Sequence, residues 1–221
     1  MKKTLKSAFT LTELLIALAV IGVLTAILLP IISNIMPDRN ALMAKRAYYS
    51  IQTVVSDLIN DESCYPDLTN LQADDMRVGF DDGYGYPNCT KWGGSENTDS
   101  ITTENAGLKF ITLFKSKLDL KSENEVEDNV GTFQTKDGLL WTINGSELST
   151  DDKVARIYVD VNGSSDPNCG QATAIACNEE DNITSGFDRF EVVVDADGEL
   201  TITDTWAQNA VDGNKNITDA D

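Results

Sequence analysis

Histidine is absent from all 221 residues. No Ser-His or Cys-His nucleophile pair can therefore form, and no imidazole is available to a metal. Cations are scarce, with 17 Lys and Arg against 36 Asp and Glu, a net charge of −19. So acidic a chain lacks the basic surface that phosphate backbones require, and a nucleic-acid partner is not expected. Cysteine is limited to four residues, none in a Cys-x-x-Cys spacing, which leaves no zinc site in the absence of His. The length allows one ordinary domain with an appendage.

The charge is unevenly spread. Residues 1–60 hold six basic and three acidic residues, a net of +3, and residues 61–221 hold eleven basic and 33 acidic, a net of −22. From Leu14 to Pro37 there is no charged residue in 24 positions, and Leu, Ile, Val and Ala fill most of them. About 20 apolar residues span a bilayer as a helix, so an apolar N-terminal anchor precedes an acidic ectodomain.

Ahead of this run stands Met1-Lys2-Lys3-Thr4-Leu5-Lys6-Ser7-Ala8, a basic stretch like a secretory n-region. An ordinary signal peptide has a shorter apolar core and then a small-x-small cleavage site. Here Ile31-Ile32-Ser33-Asn34 offers no such site. The three lysines place this end in the cytoplasm and the C-terminal domain outside, in a single-pass arrangement at the inner membrane. Glu13 sits at the head of the apolar run, where a carboxylate costs about 2.5–3.5 kcal/mol when central and less near the interface, so it is a functional candidate by default.

The string Ala8-Phe9-Thr10-Leu11-Thr12-Glu13-Leu14-Leu15 resembles the N-terminal signature of type IV prepilins and type II secretion pseudopilins. Ala8 stands where Gly is usual, and Thr12 where an aliphatic residue is usual. The resemblance implies cleavage between Ala8 and Phe9 by a prepilin peptidase and N-methylation of Phe9. It also implies assembly through Glu13, with Pro30 at a position where such helices often carry a helix-loosening proline. The partners it implies are further copies of the chain, related minor pilins or pseudopilins, and an inner-membrane assembly platform. Asp160-Val161-Asn162-Gly163, with Phe187-Asp188-Arg189-Phe190, also looks like C-terminal sequence of secretion pseudopilins.

Beyond the apolar run, Leu42, Met43, Ala47, Ile51, Val54, Val55, Leu58 and Ile59 recur at three- and four-residue spacing. They predict one long helix from about residue 9 to 60, its first half membrane or filament core and its second half packed on the domain. Residues 61–104 read as irregular loops. Residues 105–118 suit a short amphipathic helix. Strands are expected at Thr132–Thr135, Leu140–Ile143, Ala155–Val161, Phe190–Val194 and Glu199–Thr203, with hairpin turns at Asp137-Gly138 and Asp197-Gly198. The expected fold is α+β and loop-rich: a long N-terminal helix on an antiparallel sheet of four to five strands. The organisation reads as a leader (1–8), a membrane or filament-core helix (9–36), its amphipathic continuation (37–62), a globular domain (63–206) and a polar tail (207–221).

Four cysteines allow three connectivities, and Cys64–Cys89 with Cys169–Cys177 joins local pairs in loop-like sequence on the oxidising side of the membrane. Asp160, Asn162 and Asp166 form one oxygen-rich cluster and Asp195 with Asp197 another, which makes calcium the one cofactor to consider. Neither matches the twelve-residue calcium loop. No catalytic constellation is present, so no enzymatic activity is expected. The function expected is that of a filament subunit, either pilus-like or a secretion pseudopilus. The competing expectation is an extracellular binding domain on an uncleaved signal anchor.

Overall fold

The computed structural model describes residues 11–35, 39–66, 79–94, 103–177 and 186–213, with side chains in the first helix from Leu11 to Ala26. The chain divides into two compact units, residues 1–38 and residues 39–221. The first contains helix α1, Leu11–Ile35. The second begins with α2, Arg39–Ile59, so the long helix expected over 9–60 is seen as two stretches, with residues 36–38 between them outside the described residues.

The second unit is built on a six-stranded antiparallel meander in chain order. Its strands are β1 (Leu120–Glu123), β2 (Val130–Thr135), β3 (Leu140–Asn144), β4 (Val154–Asp160), β5 (Arg189–Asp195) and β6 (Leu200–Ile202). Sequence reasoning missed β1, an exposed edge of Leu-Lys-Ser-Glu with no apolar alternation. Both expected hairpins form at their Asp-Gly pairs. Gly138 and Gly198 take φ of 98° and 90°, the left-handed residue that closes a three-residue hairpin loop.

One face of the sheet is apolar by strict alternation, with Phe133, Trp141, Ile143, Ile157, Val159, Phe190, Val192 and Val194 buried. These join the buried stripe of α2 (Ala44, Ala47, Ile51, Val54, Val55, Leu58) and the apolar side of α3 (Ala106–Ser116) in a single core. Leu42, expected in that stripe, is instead half exposed, and Ala41 and Ala44 take the buried positions. Gly107 of α3 and Gly145 approach so closely that a Cβ on Gly107 would stand 2.4 Å from the Gly145 carbonyl oxygen. An aromatic series runs through the core from Tyr65 over Phe80, Phe110, Phe114 and Trp141 to Phe133, with neighbouring centroids 4.8–6.1 Å apart.

The region expected as polar tail from 207 starts inside α4, Thr205–Asp212, where Trp206, Ala207 and Ala210 are buried. Small alanines gave little hydrophobic signal, and the helix is anchored by Trp206, whose Nε1 donates to the Arg189 carbonyl at 3.1 Å. Residues 214–221 lie outside the described residues.

The disulfides are Cys64–Cys89 and Cys169–Cys177. Two buried carboxylates fix the loop that carries the second. Asp188 accepts from Asn162 Nδ2, Asn168 N and Cys169 N, each at 2.9 Å. Asp204 accepts from the backbone amides of Gln171, Ala172 and Glu191 at 2.5–2.9 Å. Replacing Asp204 with Ala leaves those three N–H groups without an acceptor, at about 1–3 kcal/mol for each that stays buried. The expected loss in urea denaturation is about 2–4 kcal/mol, and a loss below about 1 kcal/mol would contradict this role.

Candidate functional site

Glu13 lies in the first described turn of α1. The helix around it is apolar on every side. Leu11, Leu14, Leu15, Ile16, Leu18, Val20, Ile21, Val23 and Leu24 are each more than half exposed within the chain, and together they cover all faces of the turn. A helix hydrophobic all round requires an apolar environment from outside itself, either lipid or other helices. Gly22 sits in the middle with open space where a Cβ would point, so a neighbouring backbone could approach there. Thr25 returns its hydroxyl to the Ile21 carbonyl at 2.7 Å, which hides its polarity within the helix. α1 continues through Pro30 to Ile35, so that proline does not end the helix.

Ala8 and Phe9 lie outside the described residues. Among the described residues no helix is long and apolar enough to cross a membrane. The side chains described in α1 end at Ala26, short of the about 20 residues that a crossing needs, while the uncharged run in the sequence extends to Pro37.

The calcium candidates are not brought together. Asp160 stands opposite Arg189 at one end of the β4–β5 pair and Asp195 opposite Val154 at the other, about 20 Å apart at 3.3 Å per residue. Asp160 Oδ2 accepts from Arg189 Nε at 2.9 Å, and Asn162 Nδ2 is committed to Asp188. Asp166 Oδ1 accepts from the Asn168 side-chain amide at 3.4 Å. Burial pushes the Asp160 carboxyl up to about 6, with Arg189 opposing that rise. Among the described residues no group of three or more Asp, Glu, Cys or His could hold a metal ion. Asp160 thus serves in an ion pair with Arg189 at one end of the β4–β5 pair.

On the outward face of the sheet Arg156 bridges Glu147, at 3.0 Å, and Glu191, at 3.3 Å. Thr203 donates its hydroxyl to the same Glu191 at 2.9 Å. Arg156 donates to both carboxylates, and its hydrogen bonds to Glu147 come first among the causes that hold its guanidinium above the usual range.

Sequence reasoning read 105–118 as a short amphipathic helix and did not single out Lys109, which is fully buried in α3. The available signal was its register: it sits three residues after Ala106 and four before Leu113, on the apolar face.

No curated protein and no solved structure matches the chain. Residues 3–29 match the family model of the prokaryotic N-terminal methylation motif, which takes in Ala8, Phe9, Glu13 and the first half of the apolar run. That motif implies a membrane-anchored N-terminus and is consistent with a segment of the type IV pilin-like or pseudopilin kind.

Proposed function

We propose that the chain is a structural subunit of a type IV pilus-like or type II secretion pseudopilus filament and carries out no catalysis of its own. The observation that supports this most is the methylation motif over residues 3–29, followed by a helix whose apolar side chains are exposed on all faces. In this reading a prepilin peptidase cuts between Ala8 and Phe9 on the cytoplasmic side, and Phe9 is methylated. Loss of the leader removes Lys2, Lys3 and Lys6, leaving a chain of −22. The freed helix leaves the bilayer for a bundle of like helices supplied by further copies and related minor subunits. In that bundle Glu13 of one subunit neutralises the Phe9 amine of its neighbour. Either charge alone is expensive in an apolar core, and the pair sets subunit register. The intact Glu13 suits a subunit of the filament body. An assembly platform and its ATPase supply the work.

Shearing the surface of producing cells, or overproducing the chain with its assembly platform, should release helical filaments that contain it. A chain found wholly in the membrane fraction under both conditions would overturn the reading and favour an uncleaved anchor.

A further inference from the structure

The amine of Lys109 is the most anomalous group in the second unit. Its side chain is wholly inaccessible, and among the described residues Nζ has no hydrogen-bond partner. Asp82 Oδ2 stands 3.6 Å away, beyond hydrogen-bond length, and the rings of Tyr65 and Tyr86 lie 4.1 and 5.0 Å below the nitrogen. The carboxyl group of Asp82 is equally enclosed. Tyr84 N donates to its Oδ1 at 2.8 Å, and the Tyr86 hydroxyl donates to its Oδ2 at 2.7 Å. An ammonium group presents three donors, and this site offers it one oxygen out of range and two aromatic faces. Burial pushes the Lys109 amine down to about 8 against the pull of Asp82, so part of it is neutral and nucleophilic near neutral pH. Nothing from solvent reaches it in the folded chain. Among the described residues, the carbon electrophile beside it is Cγ of Asp82.

We propose that Lys109 and Asp82 become joined by an intramolecular amide bond between Nζ and Cγ. One proton passes from the Lys109 ammonium to Oδ2 of Asp82, and the amine left behind attacks Cγ. The Cγ–Oδ2 bond breaks, and Oδ2 leaves as water, carrying the carboxyl proton and one proton from the nitrogen. The Tyr86 hydroxyl donates to Oδ2 at 2.7 Å and so steadies the oxygen that departs. The step consumes no oxidant, reductant or metal. Its product suits the cage better than the ions do. Two buried charges disappear, and three donors become one N–H that an aromatic face can accept. Exclusion of water also suppresses hydrolysis. The bond would tie the segment around Asp82 to α3. The same segment is already held to the end of α2 by Cys64–Cys89, so three elements of the core become covalently joined. The proposal is independent of filament assembly.

The test is the mass of the full-length chain after its disulfides are reduced, followed by peptide mapping. A chain lighter by one water, with a branched peptide joining residue 82 to residue 109, is expected. That branched peptide should be missing from Lys109→Met and Asp82→Ala. A wild-type chain of full sequence mass overturns the proposal, and this arm needs no variant to fold. A water loss confined to a linear peptide overturns it too, since a succinimide at Asp82-Gly83 gives the same mass. Stability against pH supplies a second readout. A free Lys109 would have a lower pKa folded than unfolded, so the unfolded chain would bind more protons between pH of about 8 and 10.5, and stability would rise through that window. Tyr65 and Tyr86 face position 109 in wild type and in Lys109→Met alike, so their titration largely cancels between the two. Parallel profiles are expected for the two chains. A wild-type profile that climbs relative to Lys109→Met overturns the bond.

Discussion

Replacing Glu13 with Ala is expected to cut filament yield about a hundredfold or more, because breaking a buried ion pair costs about 3–5 kcal/mol and each 1.4 kcal/mol is tenfold. The loss is large because the partner charge stays behind. In the proposed bundle the Phe9 amine of every subunit would enter an apolar core with nothing to neutralise it, and the penalty recurs at each contact along the filament. The bilayer-embedded subunit responds the opposite way. Alanine removes the cost of holding a carboxylate at the head of an apolar run, so the variant should accumulate in the membrane. Its folded domain should be untouched, since Glu13 lies in the compact unit of residues 1–38 and the core in that of residues 39–221. An unchanged melting temperature with missing filaments is the expected pair of results. Wild-type filament yield would refute the pairing.

The second large effect is expected at Trp141. This side chain is 1% exposed, stacks on Phe133 with centroids 6.0 Å apart, meets Phe114 at 6.1 Å, and donates Nε1 to Thr135 Oγ1 at 3.1 Å. It stands in β3 on the buried face, in ring contact with Phe114 of α3. Trp141→Ala should therefore cost about 3–5 kcal/mol, a large fraction of the about 5–15 kcal/mol by which a domain is stable. In urea the midpoint should fall with little change in slope. A loss under about 1 kcal/mol would mean that the aromatic series is not the centre of the core.

The parts of this fold legible in the sequence are those with a local physical cause. The α2 stripe is apolar at helical spacing and is buried nearly as read, from Ala47 to Leu58. Asp137-Gly138 and Asp197-Gly198 turn because glycine alone takes the required φ cheaply, so both hairpins follow from dipeptides. The elements that escaped notice depend on tertiary context. β1 exists because β2 offers it an edge, and α4 because Trp206 finds a place beside Phe190. Leu42 is exposed although it shares the helical period, since Ala41 and Ala44 take the buried positions on that stretch. The same division holds for the sites. Ala8, Phe9 and Glu13 form a contiguous motif and can be read without a fold. Asp160 and Asp195 are read in two separate oxygen-rich clusters, and strand register places them at opposite ends of a pair. The Lys109 cage is assembled from residues 65, 82, 86 and 109, which no window of sequence brings together.

The filament account stands most directly on the N-terminus of the protein as its own cell makes it. Mass spectrometry of chain purified from producing cells should show a polypeptide that starts at Phe9 and carries one methyl group on its α-amine. An intact Met1, or a cut after the apolar run near Ser33, would contradict the account and leave a membrane-tethered acidic domain in its place.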